Sequence, residues 1–108
     1  MKEYTLKQVC EMTGASRRAV QGYEKLGMVS ASGRNKYGHL IYDAATLDRI
    51  RQIIFYRDMG FSRMDVITLL DCGDEERKTK LIDKIQYLKG KIIQYQRLIL
   101  DAERIINS

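Results

Sequence analysis

The first run of apolar residues predicts a short amphipathic helix over about residues 6–13. Its buried positions follow the helical spacing i, i+3, i+4, i+7, at Leu6, Val9, Cys10 and Thr13. Thr5 and Gln8 are spaced as a capping box, in which each side chain bonds the backbone N–H of the other residue. Gly14 can end the helix, because glycine readily adopts the left-handed conformation found at helix C-termini.

A second short helix is predicted over about residues 17–26, after a tight turn. Ser16 can cap its start and Gly27 can close it. Two short helices joined by a tight turn that contains glycine are typical of a helix-turn-helix unit. Gly22 stands in the middle of the second helix, although glycine there costs about 1 kcal/mol relative to alanine.

Residues 28–43 predict a small β-hairpin, or wing, and two further helices follow it. The apolar pieces Met28-Val29 and Leu40-Ile41-Tyr42 flank a polar loop that contains two glycines. Asp43 can cap a third helix over about 44–59, with an inward face formed by Leu47, Ile50, Ile54 and Met59. Ser62 and Asp65 give a capping signal for a fourth helix over about 63–71, with buried positions at Val66, Leu69 and Leu70.

Residues 75–106 predict one long helix with a coiled-coil seam. The seam positions are spaced 4-3-4-3-4-3-4, at Leu81, Ile85, Leu88, Ile92, Tyr95, Ile99, Ala102 and Ile106. A lone helix about 48 Å long with one apolar stripe needs a partner, and a second copy of the chain in a two-fold dimer is the simplest one. The pattern therefore divides the chain into a winged helix-turn-helix domain, 1–73, and a coiled-coil dimerisation helix, 74–108.

The composition is typical of a folded domain. The 108 residues are 44% hydrophobic and 31% charged. No apolar run approaches the ~20 residues that a membrane helix needs, and the first residues form no signal-peptide core, so the cytoplasm is the expected compartment. Cys10 and Cys72 lie 62 positions apart, which fits neither a disulfide framework nor a zinc site. No set of residues typical of an enzyme active site appears, so enzyme activity is not expected.

Positive charge is concentrated in one part of the chain. The net charge is +5, and residues 17–42 contribute +4 of it, with five Lys or Arg side chains against Glu24 alone. The same stretch contains Tyr23, Tyr37, His39 and Tyr42. A basic patch with aromatic residues favours a polyanionic partner, and a solvated basic surface is the alternative.

Motifs in four stretches resemble those of one known family. In chain order they are Tyr4-Thr5-Leu6-x-x-Val9, Thr13-Gly14-Ala15-Ser16-x-Arg18-x-Val20-x-x-Tyr23-Glu24-x-x-Gly27, Gly38-x-x-x-Tyr42-Asp43, and Met59-Gly60-Phe61-Ser62-x-x-x-Val66 with Leu69-Leu70. Over residues 4–70 the chain thereby resembles the MerR family of bacterial transcription regulators. The resemblance implies a mainly all-α fold: a winged helix-turn-helix with a small β-hairpin wing, a second helix pair and a long C-terminal coiled-coil helix.

The resemblance also implies a function. It implies a homodimer that binds a pseudo-palindromic element in double-stranded promoter DNA and distorts the DNA, so that RNA polymerase can read an over-long promoter spacer. No cofactor and no metal ion are expected. One alternative is an excisionase-like or architectural DNA-binding accessory protein, and another is a module that binds a different protein through the heptad helix.

The candidate DNA contacts lie in three places. In the recognition helix they are Ser16, Arg17, Arg18, Gln21, Tyr23 and Lys25, and in the wing they are Arg34, Lys36, Tyr37 and His39. Arg57 matches a basic, phosphate-contacting position of the family. Arginine suits these roles because it bonds guanine bidentately or clamps a phosphate. Tyr23 fits a core position as well as a phosphate contact, and Arg49 and Arg51 are expected to be solvated.

The chain departs from the family pattern in the recognition helix and in the wing. Gln21-Gly22-Tyr23-Glu24 stands where the family commonly has Arg-Tyr-Tyr-Glu, and Gly38-His39-Leu40-Ile41-Tyr42 stands where it usually has Gly-Tyr-Arg-x-Tyr. The wing has therefore lost an arginine that would bind phosphate. One explanation for Gly22 is that a residue without a side chain lets the helix approach the DNA or the wing more closely. The alternative is that glycine has drifted into this position without a functional reason, and that the rest of the fold compensates for its cost in stability.

The sequence ends at Ser108 without a segment for a large ligand-binding domain. A short, complete regulator and the DNA-binding part of a longer sensor both stay open. Cys72 lies at the joint before the long helix, where metal-sensing members of the resembled family place a cysteine. Those sensors need further thiolates that follow the long helix, and the sequence has none, so a plain linker cysteine is expected.

Overall fold

The computed structural model describes residues 2–108, which fall into two compact units that meet between Asp71 and Cys72. In its described residues the first unit contains, in chain order, β1 (Glu3–Thr5), α1 (Leu6–Thr13), α2 (Arg17–Lys25), β2 (Gly33–Arg34), β3 (Leu40–Asp43), α3 (Ala44–Asp58) and α4 (Arg63–Asp71). The second unit is one long helix, α5 (Asp74–Ile106). The predicted fold class, a mainly helical winged helix-turn-helix with a long C-terminal helix, is confirmed.

Side-chain caps set the starts of the short helices, as the sequence predicts. The Thr5 hydroxyl accepts from the Gln8 N–H at 3.3 Å, and the Thr5 N–H donates to the Gln8 side chain at 2.9 Å. Ser16 Oγ accepts from the Ala19 N–H at 3.0 Å at the start of α2. Each bond satisfies an N–H that has no partner within its own helix, so the local sequence alone fixes where α1 and α2 begin.

Schellman motifs end α2 and α3. Gly27 and Gly60 adopt φ values of +72° and +97°, which glycine reaches without the steric cost that a Cβ adds. After α3 the Phe61 N–H donates to the Tyr56 carbonyl at 3.1 Å, and the two rings meet edge to face with centroids 6.1 Å apart. This is the hydrophobic contact that accompanies the motif, and it fixes the direction in which the chain leaves α3.

The wing differs in detail from the predicted hairpin. β3 is the central strand, with β1 antiparallel on one side and β2 on the other. Met28 and Val29, expected as the first strand of the hairpin, form no strand; instead the Met28 N–H donates to the Tyr23 carbonyl at 2.9 Å as part of the α2 Schellman motif. Both side chains are buried, so their apolar character reflects core packing and not strand pairing.

The buried face of α3 also differs from the expected one. Leu47 and Ile50 are buried as predicted, but the stripe continues through Ile53 and Tyr56, while Ile54 and Met59 are only half-buried. A spacing of three residues turns the stripe around the helix axis as it advances. In α4 the predicted buried positions Val66, Leu69 and Leu70 are all buried.

Arg49, expected to be solvated, instead joins three parts of the first unit. From α3 its Nε donates to the Met28 carbonyl at 2.5 Å, and its two Nη atoms donate to the Asp71 carboxylate at 3.0 and 3.1 Å. The bonds from the Arg49 guanidinium lower the pKa of Asp71 below its ordinary value. Arg51, in contrast, is exposed and makes only a 3.6 Å contact with Asp48 in the same helix.

The second unit contains α5, a helix of 33 residues with acidic side chains in its first turn, where they complement the helix dipole. The seam side chains Ile85, Ile92, Tyr95, Ile99 and Ile106 are exposed. Nothing in the described residues is both long and apolar enough for a membrane-spanning helix.

Candidate nucleic-acid interface

α2 presents one buried side chain and an outward face rich in cations. Val20 is fully buried, whereas Arg17, Arg18, Gln21 and Lys25 are exposed. Arg17 and Arg18 are the first two residues of the helix, where positive charge opposes the helix dipole by about 0.3–1 kcal/mol each. Helix stability therefore does not explain why two arginines stand here. A partner that carries negative charge would explain them.

A groove opens between α2 and the joint of α3 and α4, and four cationic side chains line it. They are Arg18 and Lys25 from α2, Arg57 from α3 and Arg63 from α4. In the described part of the chain no acidic side chain lines this α2–α4 groove. The Arg57 guanidinium is held in place because its Nη1 donates to the Phe61 carbonyl at 2.9 Å. Ser16 and the half-buried Tyr23 border the same groove.

A second basic groove lies between the start of α1, the start of α2 and the wing. Its cationic side chains are Lys7, Arg17 and Arg34, and His39 lies beside them. This wing-side groove has no residue in common with the α2–α4 groove, because Arg17 and Arg18 project about 100° apart around the helix axis. The recognition helix thus carries one arginine toward each groove.

Two side chains, Asn35 and Arg34, order the wing tip. Asn35 Oδ1 accepts from the N–H groups of Tyr37 and His39 at 2.9 and 3.0 Å, and Arg34 Nη1 donates to the Gly38 carbonyl at 2.6 Å. Tyr37 is 71% exposed, and the Lys36 ammonium lies 5.1 Å from its ring centroid. The tip therefore presents an aromatic ring and a cation together on a fixed turn.

A partly buried hydrogen bond connects the wing to the recognition helix. The Tyr42 hydroxyl, on β3, donates to the Glu24 carboxylate on α2. Tyr42 is fully buried. Its burial, together with the Glu24 carboxylate, raises the pKa of Tyr42 well above its ordinary value. This bond lets the wing and α2 keep one relative position, because a buried polar group is costly when it is left unpaired.

The structure brings most of the sequence-predicted contacts to these two grooves and leaves others apart. Gln21 lies in a shallow depression with Arg18 and Arg63, while Lys36 and Tyr37 stand at the wing tip. Sequence reasoning missed Lys7 and Arg63. Arg63 carried one usable signal: it begins α4, a place where a cation is unfavourable for the helix.

Gly22 lines the α2–α4 groove, and the wing does not approach it. Apart from its chain neighbours and the nearby backbone of its own helix, no atom of the described residues, 2–108, lies within 4 Å of the position that a Cβ would take. Close packing against the wing, one explanation for this glycine, is therefore wrong. The groove beside it is open to a partner.

Metal-ligand geometry is also absent from residues 2–108. Nowhere in that range do three or more His, Cys, Asp or Glu side chains gather in a way that could hold a metal ion. Cys10 and Cys72 are both half-buried, and neither forms a disulfide bond within residues 2–108.

An exposed recognition helix between two basic grooves, with a wing hydrogen-bonded to it, defines a winged helix-turn-helix protein of the nucleic-acid-binding class. A family model described as "MerR HTH family regulatory protein" matches residues 4–71. The chain belongs to the MerR family of transcription regulators, as its motifs indicate.

Named relatives include two transcriptional activators. TipA of Streptomyces coelicolor is 30% identical over 105 residues, which cover 97% of this chain and 42% of TipA. The activator mta of Bacillus subtilis is 28% identical over 106 residues, which cover 98% of this chain and 41% of mta. The chain thus spans less than half the length of these curated relatives.

Solved structures give the same fold. The N-terminus of the Bacillus subtilis multidrug transporter activator, MtaN, superposes with a TM-score of 0.75 at 28% identity, over 97% of this chain and 99% of that one. HiNmlR, a MerR family regulator lacking the sensor domain and bound to promoter DNA, superposes with a TM-score of 0.77 over 91% of this chain and 79% of that one. At 24% identity the likeness to HiNmlR concerns the fold alone.

Proposed function

We propose that this chain is a homodimeric transcription regulator that binds a pseudo-palindromic promoter element through α2 and its flanking basic grooves. The observation that carries the proposal is the pair of grooves, each with three or more cations, on either side of one exposed helix. A helix about 10–12 Å wide fills a major groove about 12 Å wide. Side chains that flank such a helix then face the two sugar-phosphate backbones that border the groove.

The seam of α5 supports the dimer. Its exposed side chains include Ile92, Ile99 and Ile106, and a long helix with an apolar stripe is stable in water when another helix covers the stripe. Two copies of the recognition helix related by a two-fold axis require two half-sites, which is why the DNA element is expected to be pseudo-palindromic.

DNA distortion and an effect on RNA polymerase complete the proposal. Membership of the family favours recognition that depends in part on how easily the DNA deforms, because the energy of deformation differs between sequences. In this mechanism, a distorted promoter with an over-long spacer becomes readable by RNA polymerase.

The test is selection of binding sites from random duplex DNA, followed by footprinting of the selected site. We expect a protected site with two-fold symmetry. The Arg18→Ala variant should bind about 10–100-fold more weakly and with a relaxed preference at one position of each half-site. Arg51→Ala, at an exposed arginine outside both grooves, is the matched control and should change neither the affinity nor the sequence preference.

A footprint without two-fold symmetry, or an Arg18→Ala variant with unchanged affinity and sequence preference, would contradict this function. Sedimentation as a monomer on a single half-site would favour the architectural accessory protein instead. Failure to bind DNA at any salt concentration would favour the protein-interaction module.

A further inference from the structure

The α2–α4 groove contains more positive charge than the family motif accounts for. Arg63 is the first residue of α4 and faces the groove together with Arg18, Lys25 and Arg57. Among residues 2–108, none of these four side chains forms an ion pair with a carboxylate. Arg18, Lys25 and Arg63 also line an adjoining depression, to which Glu24, alone among the described residues, contributes a carboxyl group. The cations outnumber this carboxyl group, so the groove attracts an anion.

Apolar walls strengthen the field of these charges. Ile53 is fully buried and Met28 is 3% exposed, and both line the groove beneath the cations. A cleft with charges of one sign and low-dielectric walls concentrates the electrostatic field at its mouth. The bond from Arg57 to the Phe61 carbonyl fixes one cation in advance, so less side-chain entropy is lost when an anion binds.

Gly22 provides the space in this groove. It lies between Arg18 and Lys25 on the same face of α2, one turn from each. Among residues 2–108, apart from its chain neighbours and the nearby backbone of α2, no atom lies within 4 Å of a Cβ placed there. The gap is therefore open at the surface of the described structure. A side chain at this position would project between the four cations.

We propose that the α2–α4 groove binds a backbone phosphate of the DNA strand that borders the major groove occupied by α2, with Arg63 as a direct contact and Gly22 as the gap that admits the phosphate. The inference rests on the proposed DNA-binding function and adds to it two positions that the motif does not assign. Arg63 acts on affinity for any sequence, because a phosphate contact carries no base identity. Gly22 sets how closely the strand approaches α2.

The test compares the chain of 108 residues with three variants on the selected duplex and on an unrelated duplex. The variants are Arg63→Gln, Gly22→Leu and the control Arg51→Gln, and binding is followed by fluorescence anisotropy between about 50 and 200 mM salt. Arg63→Gln should bind both duplexes roughly 5–10-fold more weakly, and the slope of log K against log salt should fall by about one.

Gly22→Leu should also weaken binding to both duplexes. Leucine is a good helix former and the space around the Cβ is open, so circular dichroism and thermal unfolding should show a variant at least as stable as the wild type. Lost affinity in a more stable protein separates obstruction of the groove from misfolding. Arg51→Gln should match the wild type in affinity and in salt slope.

The inference is overturned if Arg63→Gln keeps the wild-type affinity and slope, or if Gly22→Leu binds as the wild type does. It is also overturned if Arg63→Gln loses affinity for the selected duplex alone, because that pattern indicates a base contact. If the proposed DNA-binding function is itself wrong, the result is different: the wild type then shows no salt-dependent binding to either duplex.

Discussion

Tyr42 shows how one residue can join the wing to the recognition helix. Its ring belongs to the core of the first unit, while its hydroxyl donates to Glu24 on the recognition helix. The tyrosine thus fills a buried position, and its hydroxyl finds a hydrogen-bond acceptor in the half-buried Glu24 carboxylate. The sequence pattern places Tyr42 in a strand, but the partner 18 positions earlier follows only from the tertiary fold.

We expect Tyr42→Phe to lower the free energy of unfolding by about 1–2 kcal/mol, because it removes a hydrogen bond to a charged group and keeps the ring. Urea unfolding should show a lower midpoint with an unchanged slope. Tyr37→Phe, at an exposed tyrosine of the wing tip, is the control and should leave the midpoint unchanged.

The same variant has a signature in alkaline solution. The folded protein raises the pKa of Tyr42 above its ordinary value of 10.0, so the native state holds this proton after the unfolded state has lost it. Stability from this group is present below pH 10 and falls as the pH rises further, by at most about 1.4 kcal/mol per pH unit. Tyr42→Phe should lack this part of the decline; equal alkaline declines in both proteins would contradict the assignment.

At the scale of elements, Arg49 holds α3, the segment after α2 and the end of α4 in one arrangement. Its contacts with the Met28 carbonyl and the Asp71 carboxylate join residues more than 20 positions apart in the chain. The α2–α4 groove lies between these same elements. The ion pair therefore helps to keep the width of the groove constant, although neither Arg49 nor Asp71 lines it.

The Asp71 carboxylate makes the free energy of unfolding depend on pH in the acid range. Because the folded state lowers the pKa of Asp71 from its ordinary value of 3.8, its contribution is present above that value and is lost as the pH falls through the lower, folded-state pKa. We expect Asp71→Asn to unfold at a lower urea concentration than the wild type at neutral pH, and the two midpoints to converge in acid.

Asp48→Asn is the control for that experiment. Asp48 meets Arg51 at 3.6 Å on the exposed side of α3, and exposed pairs of this kind contribute little. A midpoint difference for Asp71→Asn that stays constant from neutral pH to acid would show that the carboxylate charge is not what stabilises the contact.

Local rules account for the parts of these elements that the sequence predicts correctly. The Thr5 and Ser16 caps and the Gly27 turn are decided within a few residues, so helix ends can be read directly. Strand pairing is not local: β1 was not expected, because Glu3–Thr5 is defined by its pairing with Asp43–Ile41. Arg63 was missed for the same reason, since its neighbours in the groove come from distant parts of the chain.

Across the whole molecule, the two units have opposite balances of buried and exposed apolar residues. The first unit contains all of the buried apolar side chains identified in residues 2–108, and the helix of the second contains none. Its exposed leucine, isoleucine and tyrosine side chains are numerous for a monomer in water. The homodimer that we propose would cover these side chains and would account for the contrast.

We expect Ile99→Asn to shift the protein from dimer to monomer in sedimentation equilibrium, because an asparagine in the seam places an amide in the apolar contact between helices. Leu98→Asn is a closely matched control: the two side chains are adjacent and are 55% and 56% exposed, but Leu98 lies outside the seam. Equal effects of the two substitutions would show that the heptad seam is not the interface. A monomeric Ile99→Asn variant should also lose most of its affinity for the two-fold site.

The turn held by Asn35 has a consequence for the thermodynamics of recognition. Two amides of the turn are already bonded to its side chain, so residues 35–39 lose their conformational freedom when the protein folds and not when DNA arrives. If the wing contacts DNA as we propose, its backbone is already in place before the DNA binds. The free energy of the wing contacts is then reduced by the ordering of exposed side chains such as Tyr37 and not by the ordering of the backbone.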